Sequence, residues 1–190
     1  MRSPSSLNPQ RGLTLIEVLV TILILSIGLL GMAGLQARLQ QSEMEAYQRA
    51  QALLLLDDMA NRIAANRNEA STYVTGTSNP LGAGMTCATV TGTSSRRDRD
   101  ISEWCNTLQG AAETSGTSKV GAMVGARGCV QSLGSNQYMV TVAWQGMTPI
   151  SAPPAGVACG TNSYNGATGA VCQNDLCRRV VTTIVRVANL

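Results

Sequence analysis

Gly12-Leu13-Thr14-Leu15-Ile16-Glu17 runs directly into Val18–Leu35, an uncharged stretch reading VLVTILILSIGLLGMAGL, and Arg11 stands just before the glycine. A carboxylate therefore sits at the mouth of an apolar run close to the ~20 residues that span a bilayer. Holding an ionised acid in hydrocarbon costs roughly 3 kcal/mol on insertion scales, so a residue of this kind calls for a partner and a role. A cut after Gly12 would create that partner. The new α-amino group on Leu13 would lie four residues from Glu17, one helical turn away. A neighbouring copy of the same helix could offer an equivalent amine. Arg2 and Arg11 ahead of an apolar run also describe a secretory signal or a simple anchor, with a small-residue cleavage site to be drawn near Gly31–Gly34. The apolar region of an ordinary signal is shorter, ~7–15 residues, and needs no Glu at its head.

Outward from this junction the pattern is helical. Gly28, Gly31 and Gly34 are spaced three apart, which weakens an isolated helix and permits close approach of helix backbones. From Arg38 the sequence turns amphipathic. Leu53, Leu56, Ala60 and Ile63 recur at the period of one buried face, while Gln40, Gln41, Glu43, Gln48 and Arg49 are polar and would face water or other subunits. No proline interrupts Leu13–Asn66, which as one helix would extend roughly 80 Å at ~1.5 Å per residue. Asn66, Asn68 and the Ser/Thr/Gly-containing run after Ala70 end it.

The remainder reads as a small globular domain. Ser71–Ser95 is rich in Thr, Ser and Gly and looks like a long loop. Asp100–Leu108 reads as a short helix capped by Asp100 with Glu103 three residues on; Ile101, Trp104, Cys105 and Leu108 line one face, with Trp104 as a core anchor. Gly110–Gly125 is loop-like. Strand patterns follow at Gly128–Leu133, Gln137–Trp144 and Arg179–Val187, with Pro149, Pro153 and Pro154 breaking the chain between the last two. A Val/Thr strand needs one face covered, and the amphipathic half of the long helix is available. The expected class is α+β: a long N-terminal helix packed on an antiparallel sheet of three or four strands.

Composition removes several function classes. The 190 residues contain no His and no Phe and carry a formal charge of +3. Without His there are no His-based triads, His metal sites or C-x-x-C-H haem sites, so no cofactor and no metal is expected. No basic patch argues for nucleic acid; Arg96, Arg97 and Arg99 alternate with Asp98 and Asp100 and read as a solvated turn. Carboxylates at Asp98, Asp100 and Glu103 read as turn and cap residues, and the one catalytic pattern left is Ser-Lys chemistry around Lys119. Cys87, Cys105, Cys129, Cys159, Cys172 and Cys177 all follow the long helix, are even in number and include no C-x-x-C pair. That favours structural disulfides in an oxidising compartment. Six cysteines allow 15 connectivities; Cys172 and Cys177 are near enough to close a small loop.

The hexapeptide at Gly12–Glu17, with Arg11 before it and the apolar run after it, resembles the signal of type IV pilins and pseudopilins. Further likeness to PilV-type minor pilins lies in Ile27-Gly28-Leu29-Leu30-Gly31, Asp58-Met59-Ala60-Asn61-Arg62 with Ala65-Asn66-Arg67, the Trp104 helix, and Gly125-Ala126-Arg127-Gly128-Cys129. The family mostly begins the mature chain with Phe, where this one has Leu13. The resemblance implies a pilin-like fold and four regions: a leader at 1–12, a hydrophobic membrane or filament-core half-helix at 13–37, an amphipathic half at 38–70, and a periplasmic domain at 71–190. It implies cutting between Gly12 and Leu13 by prepilin peptidase, N-methylation of Leu13, and charge pairing by Glu17 during assembly. The chain would be that enzyme's substrate rather than an enzyme. It would sit singly across the inner membrane, among lipid, and pass through the assembly machinery into the pilus beside the major pilin and other minor pilins. There it would help start assembly, at the tip, and support twitching motility and adhesion. A pseudopilin of a type II secretion system shares the signal and the helix and is the alternative.

Overall fold

The computed structural model describes residues 14–111, 114–116, 118–119, 121 and 123–188. Gly12 and Leu13 lie outside them. The chain divides into two compact units, one ending at Glu43 and one beginning at Met44; helix α1, Leu15–Ala65, belongs to both.

In the first unit every described residue of α1 is exposed. Its hydroxyls close on their own backbone: Thr21 donates to the Val18 carbonyl at 2.8 Å and Ser26 to that of Ile22 at 2.7 Å. A helix in an apolar medium must satisfy its polar groups internally, and these two do. The helix is long and apolar enough to cross a membrane.

In the second unit α1 buries Gln48, Ala52, Leu56, Met59 and Ile63, one face at steps of three and four. This corrects the expected stripe. Leu53 is 43% exposed and Ala60 only half-buried, while Gln48, expected on the polar face, is buried. The run Ala52-Leu53-Leu54-Leu55-Leu56 covers more than one full turn, so hydrophobicity there points everywhere at once. The side that faces inward is marked by Ala52 and Met59, both fully buried in the core that also holds Val140 and Val142. The helix ends one residue before Asn66. Ala65 is its last residue, the Asn66 N–H closes onto the Arg62 and Ile63 carbonyls, and a 3-10 segment occupies Arg67–Tyr73.

Helix α2 spans Arg96–Leu108, a turn longer than expected. Its cap is Ser95, whose hydroxyl accepts from the Asp98 N–H at 3.1 Å and donates to the Asp98 carboxylate at 2.7 Å. Arg96–Asp100 is therefore the start of a helix rather than a separate turn; Arg96, Asp98 and Arg99 in it are exposed and Asp100 is buried. Asp98 in that turn is favoured by the helix dipole, and its carboxyl is held below the usual range by the Ser95 and Arg97 bonds. Trp104 is fully buried and its indole donates to the Leu55 carbonyl at 2.8 Å, joining α2 to α1.

The main sheet is antiparallel, order β1-β4-β5-β6, with β1 Leu81–Gly82, β4 Arg127–Gly134, β5 Gln137–Gln145 and β6 Arg178–Arg186. A separate ladder pairs β2, Thr114–Ser115, with β3, Ser118–Lys119, inside the stretch read as loop. Ser135 and Asn136 both have positive φ, 48° and 55°; that is the conformation a two-residue hairpin turn requires. Central strand β5 is covered on both faces. Tyr138, Val140, Val142 and Trp144 join the core that holds Leu56, Met59 and Ile63, together with Val185. Thr141 and Ala143, on the other face, are also fully buried. Gly128 is dictated by packing: a Cβ there would stand 2.3 Å from the Trp104 ring.

Disulfides join Cys87–Cys105, Cys129–Cys159 and Cys172–Cys177, with sequence separations of 18, 30 and 5. Chain-entropy arithmetic gives about 3 kcal/mol for the first loop, about 4 for the second and about 2 for the short one. The first fastens the Thr-rich loop to α2. The second holds the long β5–β6 connection to the sheet. At its end Arg178 is buried, with Nη1 donating to the Val157 and Cys159 carbonyls and Nε 3.3 Å from the Asp175 carboxylate.

Candidate functional site

The chemistry singled out in the sequence falls at the start of α1. Glu17 lies in the first turn, where the Thr14 carbonyl accepts from the N–H groups of Glu17 and Val18 at 3.0 and 3.3 Å. An acid in a first turn meets the positive end of the helix dipole, worth about 0.3–1 kcal/mol. Among the described residues no hydrogen bond or ion pair reaches its carboxylate. Gly12 and Leu13, the expected cleavage and methylation residues, are outside the described residues.

Beyond Glu17, fourteen large apolar side chains between Leu15 and Leu35 are 40–84% exposed. At about 1.5–3 kcal/mol for full burial of each, the stretch withholds on the order of 20 kcal/mol of transfer free energy from water. Such a surface needs lipid or other helices around it. Where a Cβ would stand at Gly28, Gly31 or Gly34 there is open space, so nothing described in the chain itself requires those glycines.

The globular unit carries a cluster that the sequence reading passed over. Arg62 donates through Nε to Asp58 at 3.0 Å and through Nη1 to Asp100 at 2.9 Å and Glu103 at 2.7 Å. The Tyr73 hydroxyl donates to the second Asp100 oxygen and accepts from the Asn66 amide. Burial alone would lower the Arg62 pKa; bonds from Glu103, Asp58 and Asp100 more than reverse that and raise it. Asp100 is thus a buried link between α1 and α2 and Glu103 an ion-pair partner, a correction to their reading as turn and cap residues. The i, i+4 spacing of Asp58 and Arg62 was a readable sign of the pair; the arrival of Asp100 was not, since it comes from 38 residues away.

Lys119, the remaining catalytic suspect, donates to Asn106 and Gln109, each at 2.9 Å. Its ammonium is held as a tie between α2 and β3, and both partners are amides rather than a serine hydroxyl. Arg67, Asn68, Ser71, Asn136, Tyr138, Val187 and Ala188 line a polar groove of about 410 Å³ at the hairpin end of the sheet. Among the described residues no group of three or more acidic or sulfur ligands is placed to hold a metal ion.

One family model matches the chain: the prokaryotic N-terminal methylation motif, over residues 7–33. No protein of curated function and no solved structure matches it. The motif indicates a type IV pilin or pseudopilin and, with it, processing by prepilin peptidase. It spans Gly12, Leu13 and Glu17 and most of the exposed apolar stretch, and it ends ahead of the globular unit.

Proposed function

We propose that this chain is a minor subunit of the type IV pilus, of the PilV type. Prepilin peptidase cuts it between Gly12 and Leu13 on the cytoplasmic side and methylates the new amine. The half-helix at 13–37 anchors it in the inner membrane with the domain at 71–190 in the periplasm. It then leaves lipid for the filament, at or near the tip, beside the major pilin and other minor pilins. There it helps assembly begin and so supports twitching motility and adhesion. The observation that carries this reading is the coincidence of the methylation motif with an acid at the head of a helix whose first half is apolar and exposed.

The mechanism is assembly. Helices standing side by side exchange lipid contacts for protein contacts, a process with little hydrophobic gain and therefore governed by packing and polar pairing. Gly28, Gly31 and Gly34 leave room for a neighbouring backbone. Glu17 pairs with an N-terminal amine and sets the axial register, because a misaligned neighbour leaves a charge unpaired at low dielectric. The globular unit supplies partner choice.

The mass of the native N-terminal peptide tests this directly. A peptide beginning at Leu13 and carrying one methyl group is expected; a native start at any other residue refutes the proposal. The same motif serves type II secretion pseudopilins, so deletion of the gene separates the two. Loss of surface pili with secretion intact supports the pilus, and the reverse result moves the chain to the secretion system.

A further inference from the structure

The main sheet has two edges, and the chain treats them differently. Along β4, β1 pairs with Arg127 and Gly128. The Thr75 and Gly76 N–H groups donate to the Val130 carbonyl at 3.0 and 3.1 Å, and the Val130 N–H donates to the Thr75 hydroxyl at 3.0 Å. An irregularity between Ser132 and Gly134 then disturbs the ladder. Covering segments and bulges are the usual means of closing an edge against pairing with other chains.

Strand β6 is the other edge. Gly146 donates to the Cys177 carbonyl at 2.8 Å and Val187 to that of Asn136 at 3.0 Å. Between those points the register runs from Gln145 opposite Arg178 to Gln137 opposite Arg186. Hydrogen-bonded pairs alternate along an antiparallel ladder. The odd-numbered residues Arg179 to Val185 therefore bond to β5, and the N–H and C=O groups of Val180, Thr182, Ile184 and Arg186 point outward. Among the described residues nothing pairs with those groups. Thr182, Ile184 and Arg186 are exposed, and Val180–Val185 reads Val-Val-Thr-Thr-Ile-Val, with no proline, glycine or charge to blunt it.

We propose that the open edge of β6 is a docking site for an extended segment of a different protein, added as a further antiparallel or parallel strand and carrying an acidic residue beside Arg186. Outward backbone groups recognise another strand, whose own N–H and C=O groups complement them. Charge chooses the occupant. Strand β6 holds Arg178, Arg179 and Arg186 and no acid; Asp175 and Glu45 engage the first two, and no ion pair among the described residues engages Arg186. Arg67 lies in the groove beside Val187 and adds a second cation near that end. Two copies of this chain joined edge to edge through β6 would bring no acid to Arg186, because the strand holds none. The inference rests on the sheet and holds whether or not the chain is a filament subunit.

The test uses the full-length protein in its native cell, with a photo-crosslinking residue at Thr182, at Ile184, or at exposed Thr161 as a control. Adducts to one partner are expected from Thr182 and Ile184 and not from Thr161. Contact positions on the partner should lie two residues apart, with an Asp or Glu within reach of Arg186. Thr182→Pro removes an outward N–H and leaves the β5 ladder intact, as edge positions allow. It should cut the Ile184 adduct about tenfold, and Arg186→Glu should do the same without touching a backbone bond. Absence of an adduct, adducts only between copies of this chain, contacts without the two-residue step, or adducts indifferent to both substitutions would each overturn the proposal.

Discussion

Arg62→Met offers the sharpest measurement of what holds α2 on α1. The substitution keeps much of the aliphatic stem and deletes the cation. Asp100, whose side chain is 11% exposed, then loses its bond to Nη1 while keeping the Tyr73 hydroxyl, with Arg96 4.0 Å away. A hydrogen bond to a charged group contributes about 1.5–3 kcal/mol. The Asp58 pair, an i, i+4 contact, adds about 0.3–0.5. Glu103 is 58% exposed, so solvent screens that pair to near zero. The expected loss is about 2–3 kcal/mol, or roughly 5–10 °C in Tm for a domain of this size. Trp104 and Trp144 both sit in the core, so their fluorescence during urea or thermal unfolding of the oxidised, detergent-solubilised chain reports the event.

The single value alone would not isolate the ion pair. Asp100→Asn should cost a similar amount in the parent and clearly less beside Arg62→Met, because the cation it served is gone. The cycle should show a coupling of at least ~1 kcal/mol. Additivity within about 0.5 kcal/mol, or a parent-like Tm for Arg62→Met, would refute the claim that Asp100 and Arg62 act as a unit.

Glu17→Val should enter the membrane normally, since it removes an acid from an apolar helix, yet be depleted in sheared filaments; parent-level recovery there would contradict the pairing role. Gly128→Ala should destabilise the domain by about 1–3 kcal/mol in urea melts, because its Cβ collides with Trp104 and Leu108. Gly31→Ile, in contrast, meets open space and should leave the melt of the globular unit unchanged while lowering filament incorporation. Burial of Tyr164, which outweighs the opposing effect of Arg127, raises its phenol pKa above the ordinary 10.0. Above that pH the unfolded chain releases a proton that the folded chain retains, so stability falls as pH rises, and Tyr164→Phe should flatten that decline in denaturation curves taken above about pH 10.

What could be read from the sequence, and what could not, follows the range of the interactions involved. Continuity of α1 is a local property, set by the absence of proline and by an apolar run followed by a helical repeat. Strands β5 and β6 are similarly written in Val and Thr, and the position of Glu17 at the head of an apolar helix can be read directly off the chain. Orientation is not local. The run Ala52–Leu56 gives no preferred face until the sheet packs beside it, and Leu53 is left outside. The alternation Arg96-Arg97-Asp98-Arg99-Asp100 suits a surface turn by composition alone; Arg62 and Tyr73 turn its last acid inward, and each comes from another element. Strand β1 is two residues long and exists because β4 offers it an edge. That same logic separates the two proposed sites. The junction at Glu17 is legible because a charge beside hydrocarbon has few solutions. The β6 edge is invisible in sequence because an exposed strand and a paired one share the same Val-Val-Thr-Thr-Ile-Val, and only the sheet order shows which of its backbone groups lack a partner among the described residues.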